Sequence, residues 1–159
     1  MPGLQQWSPV GQEALYQTED DVDKGLLVPR SSKVVAFDPE DDLALLVTAK
    51  PPAHTSAPVA DGIPPVGSEV HVVGHPLRLA WTYTHGYVVG YRYDEDDKIT
   101  RLQLDVIVHP GNSGGGAFDS EGRLVGICSF LIADQPGLSF FVGPDLINPF
   151  LVKARSERK

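Results

Sequence analysis

The sequence is poor in cysteine and in basic residues. Its single cysteine, Cys128, cannot form a disulfide within the chain, so stability must come from a packed core. Lysine and arginine number 13 against 21 aspartates and glutamates, a formal net charge of −8. This balance argues against a phosphate-binding surface, and we expect no nucleic-acid partner.

Long apolar runs are also missing. None approaches the roughly 18 residues that a membrane span needs, and the N-terminal region shows no signal-peptide pattern. We therefore expect a soluble chain without a membrane partner, and the sequence leaves its cell compartment open.

Short segments rich in β-branched and aromatic residues dominate the chain, separated by turn residues. They predict strands at 43–47, 69–73, 82–93, 99–106, 123–130 and 138–142. The acidic stretch DEDDK and the sequence DSEG are typical of hairpin turns, which favours antiparallel pairing. The fold class predicted is all-β, with one short C-terminal helix at about 144–156 that contains Pro149.

Five prolines between residues 50 and 66 interrupt this strand pattern. They predict an inter-lobe linker at 51–66. The lobe before it, 1–50, offers four strand-like segments (ALYQT, KGLLV, KVVAF and LALLV) and is predicted to be a partial β-barrel. The lobe after it, 67–159, holds five or six strands, enough to close a small barrel, followed by the helix.

The stretch GNSGGGAF at 111–118 admits two interpretations. It can be a surface turn, because Gly, Asn and Ser are common in loops. Alternatively, its glycines allow the N–H groups of Gly111 and Ser113 to converge on an oxyanion beside the Ser113 hydroxyl, which suits acyl transfer. Upstream, Asp42 lies where an acidic turn becomes an apolar strand, and a carboxylate there can orient an imidazole.

Four stretches, in order, resemble the trypsin-like serine proteases, and among them the HtrA-like branch without disulfides. They are DDLALL around Asp42, VVGHPLRLAWTYTHGYVVG, HPGNSGGGAFDSEGRLVGI and GLSFFVGPDL. The resemblance implies a chymotrypsin-type pair of antiparallel β-barrels, here with the first barrel incomplete. It also implies Ser113 as the nucleophile, Asp42 as the residue that orients the base, and the N–H groups of Gly111 and Ser113 as the oxyanion hole.

The same resemblance implies a serine endopeptidase that cleaves a polypeptide through an acyl-enzyme, with no metal and no organic cofactor. Residues that flank the serine loop would form the substrate pocket: Ile107, Val108, His109, Cys128, Ser129 and Phe130. No acidic residue occurs among them, so we expect a small or medium apolar side chain before the cleaved bond.

One member of the family's catalytic triad is absent from the sequence. The family carries its base, a histidine, before the aspartate, and it would be expected near Gln12, yet no histidine precedes His54. His71, His75 and His85 are expected on the wall or a loop of the second lobe, where they would not act as the base. The pair His71 and His75 would also not share a metal-binding face.

Two explanations of the missing histidine stay open. The sequence is a fragment or a split protease, whose base and first strands lie in a missing N-terminal segment or in a partner chain that completes the first barrel. Alternatively, it is a catalytically dead pseudoprotease that acts as a peptide-binding or structural scaffold. In both cases we expect this chain alone to be inactive or nearly so.

Overall fold

The computed structural model describes residues 10–16, 30–48, 56–76, 81–93, 95, 98–131 and 138–157. The chain divides into two compact units, one formed by residues 1–54 together with 153–159 and the other by residues 55–152. The predicted strand KGLLV at 24–28 lies outside the described residues.

In the first unit, three antiparallel strands form one sheet in the order β1-β2-β3. They are β1 (Glu13–Tyr16), β2 (Arg30–Asp38) and β3 (Leu43–Thr48). Asp38 of β2 pairs with Leu43 of β3, so the turn between the two strands has four residues. The Asp38 Oδ1 atom accepts the N–H groups of Glu40 and Asp41, both at 3.1 Å, and so fixes this acidic turn.

The second unit is a closed antiparallel barrel of six strands in the order β4-β5-β6-β9-β8-β7. The strands are β4 (Glu69–Gly74), β5 (Thr82–Tyr93), β6 (Ile99–Leu104), β7 (Gly116–Phe118), β8 (Leu124–Leu131) and β9 (Ser139–Val142). Closure pairs every strand with two neighbours and leaves no free sheet edge in the barrel. The predicted all-β fold with a small closed barrel is confirmed.

Alternation along the strands builds the core of this barrel. In β4, Val70 and Val72 point inward and are buried, whereas Glu69 on the same strand is exposed. Leu102, Leu104 and Phe141 add large side chains that are fully buried. The period of two residues in the sequence therefore decides which face of each strand packs inward.

The predicted C-terminal helix, α1, spans Pro144–Ser156 and is continuous through Pro149. It begins with a proline, whose missing N–H costs nothing in the first turn. Ile147, Phe150 and Ala154 form its buried side. Among the described residues, no helix has both the length and the apolar character needed to cross a membrane.

The compact units have boundaries that differ from the predicted lobes. Residues 56–66, predicted as linker, belong to the second unit. There Leu124 donates its N–H to Pro58 O at 2.7 Å, Ala60 donates to Leu124 O at 2.9 Å, and Ala60 is buried in the barrel core. Proline interrupts the strand pattern in this segment without preventing its apolar side chains from packing.

Candidate active site

Residues 109–115, which we call the serine loop, lie between β6 and β7 and are held by main-chain hydrogen bonds. The N–H of Asn112 donates to His109 O at 3.0 Å, and that of Gly115 donates to Asn112 O at 2.8 Å. Two further bonds of 2.8 Å join the loop to β8, from Gly114 N–H to Cys128 O and from Cys128 N–H to Gly115 O. The loop is therefore fixed by its own turn and by the adjacent strand.

These bonds leave out the two N–H groups that the sequence predicts as oxyanion donors. Among the described residues, neither Gly111 N–H nor Ser113 N–H has an acceptor in the chain. Gly111 has φ +105° and Gly114 has φ +82°, conformations that side chains other than glycine rarely adopt. Free, fixed donors are what the binding of a developing oxyanion requires.

The hydroxyl of Ser113 is exposed at this loop. Its Oγ donates a hydrogen bond to Ser129 O on β8, at 3.3 Å. A peptide carbonyl is too weak a base to remove the hydroxyl proton, so this contact orients the side chain without activating it. The predicted pocket residue Ser129 thus meets the loop through its main-chain oxygen.

Two close contacts between this loop and the end of β4 were not predicted from the sequence. Asn112 is buried, only 5% exposed, and its side-chain oxygen lies against the backbone of Gly74 at the end of β4. A Cβ atom added at Gly74 would overlap this oxygen and lie 3.0 Å from Asn112 Cγ. A Cβ atom at Gly115 would lie 2.7 Å from Val73 O. The end of β4, where Gly74 has no side chain, therefore lets the loop pack closely against the strand.

The predicted pocket residues differ in what they can contribute. Ile107 is 57% exposed, whereas Val108 packs against the barrel core. His109 is exposed, and its carbonyl forms the turn to Asn112. Phe130 lies on β8, opposite Phe140 of β9.

Cys128 contributes main-chain atoms to the loop, because its side chain lies in the hydrophobic core. Burial raises the pKa of its thiol to about 11, so the sulfur carries a proton at neutral pH. The thiol is therefore neither a nucleophile nor a polar group of the pocket.

Asp42 lies in the first unit, at the end of the turn between β2 and β3. Its φ is +60°, a left-handed conformation that aspartate tolerates better than most residues. The side chain is exposed, whereas Leu43, which follows it, is 3% exposed and buried. The junction of acidic turn and apolar strand predicted from the sequence is therefore present.

Two histidines of the second unit, His71 and His85, contact polar side chains on strands β4 and β5. His71 and His85 face each other across β4 and β5. His71 Nδ1 is hydrogen-bonded to the Tyr83 hydroxyl at 2.8 Å, and His85 Nδ1 lies 3.8 Å from Glu69. Within the described ranges, no group of three or more His, Cys, Asp or Glu side chains is arranged to hold a metal ion.

Residues 11–127 match the family model described as the trypsin-like peptidase domain. The chain belongs to the trypsin-like peptidase family. The match covers both the turn that carries Asp42 and the loop that carries Ser113.

Two curated relatives of this trypsin-like peptidase are named as proteases. The chain is 35% identical over 121 residues to "Protease Do-like 1, chloroplastic" of Arabidopsis thaliana, covering 70% of this chain and 27% of that protein. It is 37% identical over 109 residues to a "Probable periplasmic serine endoprotease DegP-like" of Marinomonas sp., covering 67% and 23%. The chain therefore spans about a quarter of the length of the curated relatives it matches.

Solved structures agree with this assignment. The "HtrA-type protease AlgW with decapeptide" superposes with a TM-score of 0.70 at 25% identity, covering 81% of this chain and 42% of that one. An inactive form of Rv3671c from M. tuberculosis, at 21% identity, gives a TM-score of 0.68 and covers 83% and 68%; this second likeness concerns the fold alone. The chain is thus a trypsin-like peptidase of the HtrA type.

Proposed function

We propose that this chain carries the nucleophile and the oxyanion hole of a serine endopeptidase. Ser113 attacks the peptide carbonyl, and the N–H groups of Gly111 and Ser113 stabilise the negative charge that develops on the carbonyl oxygen. Asp42 orients the imidazole that takes the Ser113 proton and returns it to the leaving amine. Water then hydrolyses the ester. The observation that best supports this proposal is the pair of N–H groups without an acceptor in a loop whose Asn112, Gly114 and Gly115 amides are bonded.

The substrate in this proposal is an extended polypeptide. One solved neighbour, an HtrA-type protease, is described with a decapeptide, and relatives are named serine endoproteases. The exposed apolar side chain of Ile107, next to the serine loop, favours a small or medium apolar residue before the cleaved bond.

The base in this reaction has to be added, because no histidine precedes His54 in the sequence. Loss of one triad member lowers the rate by on the order of a millionfold, so the chain alone should be nearly inactive. A partner chain or a further segment that completes the first sheet would supply the imidazole. Free imidazole in solution can stand in for it.

The test is labelling of Ser113 by a fluorophosphonate, followed by intact mass, with and without added imidazole. Labelling should be negligible without imidazole and should increase with the concentration of its neutral form. Ser113→Ala should abolish it, whereas Ser120→Ala, which changes an exposed serine of the β7–β8 turn, should not. Asp42→Asn, which keeps the left-handed turn, should lower the rescued rate by about tenfold or more.

The alternative function is a pseudoprotease that binds a peptide without cutting it. It is favoured by the missing histidine and by the bond that directs the Ser113 hydroxyl to Ser129 O. Binding of an extended peptide together with no imidazole-dependent labelling would support it over the protease. Rapid labelling without imidazole would contradict both proposals, since each requires an inert hydroxyl.

A further inference from the structure

A cavity of about 510 Å³ opens in the second unit, away from the serine loop. Its walls are the segment that leads into β4 and the turn between β7 and β8. Along β4 the cavity lies at the start, at Ser68–Val70, whereas the serine loop contacts the other end, at Gly74. A volume of this size is within the range of ligand pockets, and it accommodates one long side chain with its flanking backbone.

The walls of this cavity are fixed in place by hydrogen bonds. Pro58 and Ala60 are both bonded to the main chain of Leu124, and Asn148 of α1 donates to Ala60 O at 2.9 Å. The hydroxyl of Tyr91 donates to Pro64 O at 2.9 Å. The cavity is therefore preformed, so a ligand does not have to order it on binding.

The cavity has an apolar wall and a charged rim. Ile63, Pro64 and Pro65 supply the apolar surface. Asp61 and Glu69 are exposed at the rim. This arrangement matches a lysine or arginine side chain, which packs its methylene stem on apolar surface while the charged head stays at the water boundary.

Arg123, the one arginine of the described cavity lining, contacts two other carboxylates and also interacts electrostatically with Asp61. Arg123 Nε lies 2.7 Å from Asp119 Oδ2, and Arg123 Nη1 lies 3.4 Å from Glu121. Glu69 Oε1 lies 3.8 Å from His85 Nδ1, and both side chains are about half exposed. The described lining thus carries three carboxylates, of Asp61, Glu69 and Asp119, against one guanidinium, and this excess of negative charge is complementary to a cation.

We propose that this cavity is a second polypeptide-binding site, which takes a lysine or arginine side chain of a partner or substrate chain. The apolar wall holds the stem and Asp61 and Glu69 receive the ammonium or guanidinium group. Since the rim is exposed, salt weakens the binding. The site needs neither the Ser113 hydroxyl nor a histidine base.

The experiment is a titration of the full chain with a short capped peptide that contains one arginine between glycines, followed by amide NMR shifts. Shifts should concentrate at Ile63, Glu69 and Ser120 and leave Ser113 unchanged. The same peptide with norleucine in place of arginine should bind more weakly, by up to about fivefold for each of the two ion pairs lost, because an exposed ion pair contributes up to that factor.

Variants separate the local charges from the general acidity of the chain. Asp61→Asn combined with Glu69→Gln should weaken the arginine peptide by about tenfold. Glu95→Gln, the same change at an exposed position in the β5–β6 turn, should not. Equal binding of the norleucine peptide, equal loss in Glu95→Gln, or shifts outside the cavity would overturn the proposal. Binding of spermidine as tight as that of the peptide would overturn it too, because the occupant would then be a free polycation.

Discussion

Gly74→Ala should destabilise the protein and displace the serine loop. The new Cβ would overlap the side-chain oxygen of Asn112 and lie 3.0 Å from its Cγ, and Asn112 is too buried to swing into solvent. Overpacking of this kind costs about 1–3 kcal/mol. For a chain of this size that corresponds to a fall in the unfolding midpoint of roughly 2–12 °C. The amide signals of Gly111 and Ser113 should shift in the NMR spectrum of the variant, because Asn112 lies between them.

Gly90→Ala is the matched control. Gly90 lies in β5 of the same barrel, and a Cβ there would be 3.5 Å from Gln103 Oε1, an ordinary contact. With no clash, the change from glycine to alanine should be neutral or stabilise the fold by about 0.4–1 kcal/mol. The two variants should therefore change stability in opposite directions.

A double variant tests the contact itself. Asn112→Ala removes the overlapping atoms, leaving Asn112 Cα 3.5 Å from the new Cβ. Gly74→Ala with Asn112→Ala should then be less destabilised than the sum of the two single variants, by about 1–2 kcal/mol. Additive losses, or a Gly74→Ala variant as stable as the wild type, would refute the role given to this contact.

Two further predictions concern titratable side chains of the barrel. The Cys128 thiol, with a pKa raised to about 11 by burial, should resist a thiol-specific disulfide reagent at pH 8 in the native protein and react fully in urea; fast native reaction would contradict its place in the core. Burial raises the pKa of Asp119, but the N–H groups of Arg123 and Glu121 and the Arg123 guanidinium outweigh it, so the pKa is lowered. A carboxyl group whose pKa is lowered by folding stabilises the folded state at pH values above its ordinary pKa of 3.8. This stabilisation is lost as the pH falls through the lowered pKa. Asp119→Asn should therefore cost about 1 kcal/mol in urea unfolding at pH 7 and nothing at strongly acidic pH; an equal cost at both would show that charge is irrelevant.

The strands of the barrel were largely predictable from the sequence. Segments such as EVHVV and TYTHGYVVGYRY carry β-branched and aromatic residues with the period of two that a half-buried strand requires, and they correspond to β4 and β5. The burial of residues 56–66 was not predicted from the sequence. Their prolines remove the alternation that indicates a strand, although Ala60 is a core residue. Burial there is decided by contacts with Leu124 and Asn148, which are distant in the sequence.

The candidate site was predictable only in part. The glycines of GNSGGG indicated a loop with unusual backbone conformations, and positive φ values occur at Gly111 and Gly114. The roles of Asn112 and Gly74 were not visible, because nothing in a single asparagine or glycine indicates which distant residue it contacts. The roles of Ser113 and Asp42 in catalysis stay predictions, to be tested by labelling.

By itself, the sequence determined the all-β class, the small barrel, the terminal helix and the loop around Ser113, because these depend on residue periodicity and on local backbone preferences. Only the tertiary structure decided which amides of that loop are bonded to β8 and which stay free, that Cys128 points into the core, and that Asp61 and Glu69 meet at one cavity. Each of these depends on packing between segments far apart in the chain, which local pattern does not specify.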